Sequence, residues 1–168
     1  MERNTELLYC KETTENHPLS KKQRLCLERL SKLIAREGGN GKRFKDGHLA
    51  IDLDEVEKML CKSDKRDKRK TPDLAFAAKK GERAKMVVVE CKLRVSKVDN
   101  ISKGDLDKKF TTAVSILTNA IPIYSKNYIL IKNQSFQQLR NKLMRKLINS
   151  PNYEVTNEES LLKFFPHN

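Results

Sequence analysis

The sequence has no tryptophan, few aromatic residues and no long apolar run. Aromatic residues make up 6% of its 168 residues, so an aromatic platform that stacks single-stranded nucleic acid is not expected. No apolar stretch approaches the length of a membrane-spanning helix, and no signal-peptide pattern is present. We therefore expect no membrane contact and a cytoplasmic, intracellular protein.

The cysteine and histidine patterns that are typical of zinc sites are also missing. Cys10, Cys26, Cys61 and Cys91 form no C-x-x-C pair, and no histidine lies at zinc-finger spacing. A structural zinc site is therefore not expected, and this cysteine usage fits a reducing compartment. The glycine-rich run 38–41 lacks the Lys-Ser/Thr of a phosphate-binding P-loop, so nucleotide hydrolysis is not expected either.

Positive charge is what the sequence has in excess. Its 35 basic residues outnumber its 22 acidic ones and give a formal net charge of +13. This surplus favours a polyanionic partner, because each neutralised phosphate releases condensed counterions. The basic run 62–70 contains no apolar side chain, so we expect an exposed loop there. Two interpretations of this loop stay open, namely a solvated linker and a loop that contacts phosphates.

The apolar residues, 38% of the chain, recur with periods that predict an α/β fold. Residues 72–78 and 85–93 are predicted strands joined by a hairpin turn, and 104–119 is the clearest amphipathic helix. We expect residues 1–19 to be irregular and residues 20–168 to form a single domain, with a central mixed sheet flanked by helices. The other predicted elements are helices at 20–37, 55–61 (capped by Asp54), 136–148 (capped by Ser135) and 158–165, and strands at 48–53, 128–132 and 153–156.

Two short segments at the ends of the predicted hairpin strands carry the strongest functional signal. Pro72-Asp73 begins the first strand, and Glu90-Cys91-Lys92 ends the second. Because side chains alternate along a strand, Glu90 and Lys92 point to the same face. Asp73 lies at the same end of the hairpin as Glu90. Neither Pro-Asp nor Glu-x-Lys occurs elsewhere in the chain.

Two neighbouring carboxylates and a lysine can support hydrolysis by an activated water. Asp73 and Glu90 offer hard oxygen ligands for Mg²⁺ or Mn²⁺, and the backbone carbonyl of Cys91 offers another. Lys92 can orient or deprotonate a water, or stabilise charge on a phosphate. The alternative is an ordinary surface ion pair between Glu90 and Lys92, although charged residues that close a central strand are costly unless they serve a function.

These residues resemble the PD-(D/E)xK nuclease superfamily, which includes restriction endonucleases and archaeal Holliday-junction resolvases. The resemblance covers residues 20–132 and follows the order helix, three strands, helix, strand. It implies a restriction endonuclease-like core and phosphodiester cleavage, but not a particular substrate. Our leading hypothesis is a metal-dependent nuclease that cleaves DNA, as an endonuclease rather than an exonuclease. By this resemblance Asp73 and Glu90 are the metal ligands and Lys92 is the catalytic lysine.

The resemblance also points to residues outside the hairpin. Many members add a glutamate from the first helix, and here Glu37 fits better than Glu28, which is expected to face solvent. Members often carry a basic residue on the helix after the Glu-x-Lys strand. Lys109 on that helix and Lys103 just before it are therefore candidate nucleic-acid contacts. Apart from the resemblance, Lys79 and Lys80 in the hairpin turn are two further candidates.

The expected partner is nucleic acid, with DNA preferred to RNA. Cutting both strands of a duplex usually requires a homodimer, and a larger complex is also compatible with the chain. Two alternative functions stay open. The first alternative is a DNA-binding module that keeps the nuclease fold without turnover. The second is a subunit of a larger nuclease or transposition complex.

Overall fold

A mixed sheet of seven strands runs through the protein in a computed structural model, which describes residues 6–150 and 152–166. Helices flank this sheet, which confirms the predicted α/β class. The strands are β1 (Leu8–Tyr9), β2 (Leu27–Arg29), β3 (Leu49–Asp52), β4 (Leu74–Lys80), β5 (Arg83–Lys92), β6 (Ile123–Ile131) and β7 (Tyr153–Thr156). The helices are α1 (Lys11–Asn16), α2 (Pro18–Lys22), α3 (Leu30–Arg36), α4 (Leu53–Ser63), α5 (Lys103–Leu117), α6 (Phe136–Lys146) and α7 (Glu158–Leu161).

The sheet changes from antiparallel to parallel at its central strand. Its order is β2-β3-β4-β5-β6-β7, and β1 pairs with the far end of β4. The pairs β2–β3, β3–β4 and β4–β5 are antiparallel, whereas the pairs β5–β6 and β6–β7 are parallel. Helices α5 and α6 provide the two crossovers that parallel pairing requires. Strand β5 therefore has a partner on each side in its central part, between Met86 and Val89.

Both faces of β5 are buried, which explains its uninterrupted apolar core. Met86 and Val88 join the cluster that packs under α4, α5 and α6. Val87 and Val89 join a second cluster on the other face, with α3 and the C-terminal aromatic residues. When a strand is covered on both faces, its sequence is a nearly continuous run of apolar residues. The alternation continues to its end, with Glu90 on the α5 side and Cys91 on the α3 side.

The predicted helix at 20–37 is wrong in its first half. This region contains the end of α2, a 3₁₀ turn (Arg24–Cys26), β2 and α3. Leu27 pairs with Ile51 across the sheet, and the Leu30 N–H donates to the His48 carbonyl at 2.8 Å. No glycine or proline interrupts this stretch of sequence, so pairing with β3 outweighs local helix propensity there.

The N-terminal segment that we expected to be irregular is also ordered from residue 6, and residues 1–5 lie outside the described part. Strand β1 places Tyr9 opposite Ala78 of β4. The Tyr9 hydroxyl donates to the Leu49 carbonyl at 2.9 Å, and Thr14 of α1 accepts a hydrogen bond from the Ala77 N–H at 2.9 Å. The segment therefore belongs to the sheet.

Smaller differences concern helix caps and strand ends. Asp52, not Asp54, caps α4 by accepting from the Glu55 N–H at 3.2 Å. Ser135 precedes α6 but its side chain makes no capping hydrogen bond.

The hairpin turn is shorter than predicted, because Lys79 and Lys80 belong to β4 and only Gly81 and Glu82 separate the strands. The edge strand β7 and the closing helix are confirmed, although the last turn (Leu162–Phe164) is 3₁₀. Among the described residues, no helix has the length and apolar character to cross a membrane.

Candidate active site

Asp73 lies against the backbone of β5, at the carboxyl end of that strand. It comes directly before β4, and its N–H donates to the Val89 carbonyl at 3.2 Å. The Cys91 N–H donates to Asp73 Oδ2 at 2.6 Å. The hairpin register, in which Leu74 faces Val89, therefore brings the two predicted motifs together at one end of the sheet.

Glu90 is held by two lysines from different elements. Its side chain is 1% exposed, and its Oε1 lies 2.9 Å from Lys92 Nζ and 2.5 Å from Lys109 Nζ. Lys92 follows on the same face of β5, as strand alternation predicts, and Lys109 reaches down from α5. The interaction is thus an ion pair, as the alternative interpretation held, but it is a buried one with three members.

The second oxygen of Glu90 has no partner among the described residues. Glu90 Oε2 is buried and accepts no hydrogen bond there. A buried carboxylate oxygen without a partner is costly, so such atoms usually mark a place for a water, an ion or a ligand. This atom belongs to a carboxylate whose charge acts on Asp73, and it fits an oxygen-seeking cation.

The two carboxylates repel each other. Burial raises the pKa of Asp73, and the charge of Glu90 raises it further, to about 7. Burial alone lowers the pKa of Lys109, but the charge and hydrogen bond of Glu90 outweigh this effect and the net change is upward. Near neutral pH Lys109 is therefore charged and Asp73 is partly protonated, and a bound cation would lower the pKa of Asp73 by offsetting the repulsion.

Asp73, Lys92 and Lys109 line an open cavity of about 500 Å³. Its walls come from the loop before β4, the end of β5 and the beginning of α5. The lining carries more positive than negative side chains: Lys68, Arg69, Lys70, Lys92 and Lys109 against Asp54, Asp73 and Asp105. A phosphate group can therefore approach Asp73 through a basic entrance.

Glu37 lies near this site, and Glu28 does not. Glu37 follows α3 at its C-terminus, where its Oε1 lies 3.3 Å from the Arg36 Nε, and its charge contributes to the raised pKa of Asp73. Glu28 is in β2 and pairs with Lys32 at 2.9 Å. Among the described residues, no group of three or more His, Cys, Asp or Glu side chains is arranged to hold a metal, so Glu37 does not complete a three-carboxylate cluster.

Of the four candidate nucleic-acid lysines, the structure brings only Lys109 to the cavity. Lys103 pairs with Asp107 at 2.9 Å and is outside the cavity lining. Lys79 and Lys80 lie at the other end of the hairpin, where Lys80 faces Arg83. At about 3.3 Å per residue, this end is roughly 20 Å from Asp73. They therefore belong to a different part of the surface.

Two groups of residues near the site were not anticipated. Arg36 Nη1 binds Asp52 Oδ2 at 2.7 Å, which ties α3 to the end of β3. Glu57 of α4 is fully buried and binds Arg66 and Arg69 of the basic loop. Acidic residues in amphipathic helices usually face solvent, so nothing in the spacing of Glu57 signals its burial.

Comparison with known proteins gives no relative for this chain. No protein-family model matches it, and neither the curated proteins nor the solved structures contain a significant match.

Proposed function

We propose that the protein is a metal-dependent nuclease that hydrolyses DNA phosphodiesters, as an endonuclease with a restriction endonuclease-like core of the PD-(D/E)xK type. One observation carries this proposal. Glu90 is buried with an unpartnered oxygen and is bound by Lys92 and Lys109, and these two lysines line an open basic cavity together with Asp73. A purely structural ion pair needs neither the free oxygen nor the opening.

Asp73, Glu90 and the Cys91 carbonyl are the groups that would hold Mg²⁺, or Mn²⁺ in its place. Mg²⁺ in proteins is often bound by one or two carboxylates plus waters and substrate phosphates, so a site without a third carboxylate fits this ion. When bound, the ion lowers the pKa of a coordinated water and offsets the charge of the phosphate.

The lysines act on the water and the phosphate. Lys92 is next to Glu90 and lines the cavity, so it can orient the attacking water. Lys109 lines the same cavity, where it stabilises the negative charge that develops on the phosphate oxygens. The water oxygen bonds to phosphorus while the bond from phosphorus to the leaving oxygen breaks.

Cleavage assays test the enzyme proposal directly. Duplex, branched and single-stranded DNA are incubated with Mg²⁺ and the wild-type protein, with structured RNA as a parallel substrate. Asp73→Ala and Glu90→Ala should abolish cleavage, and Lys92→Ala should slow it by about a hundredfold or more. Lys79→Ala, at the far end of the hairpin, is the matched lysine control and should cut normally. A wild type that is inert on every substrate overturns the proposal.

Calorimetric titration with Mn²⁺ separates an enzyme from a module that keeps the fold without turnover. The contacts of Lys92 and Lys109 with Glu90 favour the second candidate, because they compensate this carboxylate without an ion. The enzyme proposal requires a Mn²⁺ site in wild type that is lost in Glu90→Ala. DNA binding without any Mn²⁺ site supports the inactive module or a subunit of a larger complex.

A further inference from the structure

The basic loop before β4 is tied to a buried carboxylate. We call residues 64–70 the Glu57-anchored loop. Glu57 of α4 has 0% exposure and accepts five hydrogen bonds from this loop. They come from Arg66 Nη1 (2.5 Å) and Nη2 (3.2 Å) and from Arg69 N (2.8 Å), Nε (3.1 Å) and Nη2 (3.0 Å).

This arrangement makes the loop a shaped element and not a free linker. Burial alone raises the pKa of Glu57, but the hydrogen bonds from Arg66 and Arg69 outweigh it and lower the pKa to about 2. The carboxylate is therefore charged, and removing its partners would leave a buried charge uncompensated. Arg69 also reaches α5, where its Nη1 lies 3.3 Å from Ser115 Oγ. The loop is thus held between α4 and α5.

Two lysines of this loop stand at the cavity of the candidate site. Lys68 and Lys70 line the same cavity as Asp73. Lys68 Nζ binds Asp54 Oδ1, and Lys70 Nζ binds Asp105 Oδ1 at 2.9 Å. All four side chains are substantially exposed, and exposed ion pairs contribute little. Phosphate oxygens can therefore replace the two aspartates as partners at small cost.

We propose that the Glu57-anchored loop is a preshaped binding element for the sugar–phosphate backbone of DNA, and that Glu57 is its positioning residue. Lys68 and Lys70 exchange Asp54 and Asp105 for phosphate oxygens, while both arginines stay on Glu57. The DNA strand is thereby held across the cavity entrance. This inference rests on the proposed function for what the neighbouring site does to that strand.

In the first test, a single substitution distinguishes general electrostatic attraction from positioning by Glu57, because the two predict opposite changes in DNA affinity. Glu57→Gln makes the chain more positive by one charge, so a general electrostatic attraction predicts tighter DNA binding. Positioning by Glu57 predicts weaker binding, because the Gln amide cannot hold both arginines and the loop loses its shape. The measurement is fluorescence anisotropy with a labelled DNA duplex in chelator, so that no cleavage occurs. Glu82→Gln, at the exposed hairpin turn, is the matched control and should not weaken binding.

A second pair of variants keeps the test decisive if Glu57→Gln does not fold. The double variant Lys68→Ala and Lys70→Ala should lower the slope of log Kd against log salt by about 1.8, or about 0.9 for each lost phosphate contact. The variant Lys79→Ala and Lys80→Ala removes the same charge at the far end of the hairpin and should leave the slope nearly unchanged. The proposal is overturned if this slope falls equally in the two double variants, or if it falls in neither. The same series with an RNA duplex shows whether the loop distinguishes the two backbones.

Failure of this inference and failure of the proposed function look different. If wild type binds DNA through Lys68 and Lys70 but never cuts it, the nuclease proposal fails and the loop assignment stands. If wild type cuts DNA and the loop variants bind like wild type, the loop assignment fails and the nuclease proposal stands. A Glu57→Gln protein that folds, as judged by circular dichroism, and binds DNA more tightly than wild type also overturns the positioning role.

Discussion

Asp73 makes the metal-free protein less stable as the pH rises. Its carboxyl group has a pKa near 3.8 in an unfolded chain and about 7 in the folded protein. Below pH 3.8 both states are protonated and the group has no effect. Between about pH 4 and 7 only the unfolded state ionises, so the free energy of unfolding falls, and above pH 7 the loss is complete.

Asp73→Asn should therefore stabilise the protein in chelator at alkaline pH. Asn keeps an oxygen that accepts from the Cys91 N–H and removes the charge that repels Glu90. We expect a gain of roughly 2 kcal/mol near pH 8, less than the full pKa change implies because the carboxylate is partly exposed. The gain should vanish near pH 4, where Asp73 is protonated.

Thermal melts of wild type and Asp73→Asn across this pH range provide the measurement. Asp46→Asn is the control, because Asp46 is highly exposed and its replacement should change stability by no more than about 0.5 kcal/mol. A destabilised Asp73→Asn at pH 8 would show that the carboxylate contributes to the metal-free fold instead of opposing it.

The sequence allowed the central residues of the site to be grouped, because their grouping depends on local rules. Strand alternation places Glu90 beside Lys92, and a short hairpin returns Asp73 to the same end of the sheet. The burial of Glu57 and the direct contact of Lys109 with Glu90 depend on how helices pack on the sheet. Neither the position of a helix nor its rotation about its axis follows from the spacing of residues within it.

At the scale of elements, α3 is held in place by a close contact with the 3₁₀ turn Gly41–Arg43. Gly41 is buried, and a Cβ added to it would lie 2.1 Å from the backbone carbonyl oxygen of Ser31 in α3. A backbone atom cannot move aside as the end of a side chain can. The same helix carries Arg36, which binds Asp52, so the turn also supports the surroundings of the site.

Gly41→Ala should consequently destabilise the protein by about 3 kcal/mol, the upper part of the usual range for overpacking. Urea unfolding monitored by circular dichroism gives the free energy. Gly47→Ala is the matched control, because a Cβ there meets nothing within 4 Å, and it should be neutral or slightly stabilising. Similar stabilities for the two variants would mean that α3 can shift without cost.

Elements with strong local signals were predicted well, and elements defined by distant partners were not. Strand β5 is continuous in its apolar character, and α5 has a clear apolar stripe ending near a turn. The division of residues 20–37 follows instead from the pairing of Leu27 with Ile51, for which no local signal exists. β1 is similar, because its two residues become a strand only by pairing with β4.

At the scale of the whole molecule, the net charge of +13 acts against the compact state. Like charges that are brought together on folding repel each other, and salt screens this repulsion over about 10 Å at 0.1 M. The ion pairs of Glu57 and Glu90 are less sensitive to salt because these carboxylates are buried, and exposed ion pairs contribute little. Self-repulsion should therefore dominate the response to salt.

We expect Tm to rise by a few degrees between roughly 0.05 M and 0.5 M NaCl. Differential scanning fluorimetry at constant pH measures the change. The variant Lys79→Gln and Lys80→Gln lowers the net charge by two away from the site, and its gain with salt should be smaller than that of wild type. A Tm that falls as salt is added would show that surface ion pairs outweigh the repulsion.

Lys92 and Lys109 together carry the charge of one divalent cation, and both place it on the same oxygen of Glu90. In the proposed enzyme they act as an internal counterion, and a metal ion at the unpartnered Oε2 would repel them from Oε1. A phosphate in the cavity offers the displaced ammonium groups new partners, so occupation by metal and by substrate favour each other. In the proposed enzyme the metal site would thus have a low affinity for cations in the absence of DNA and a higher affinity when DNA is bound.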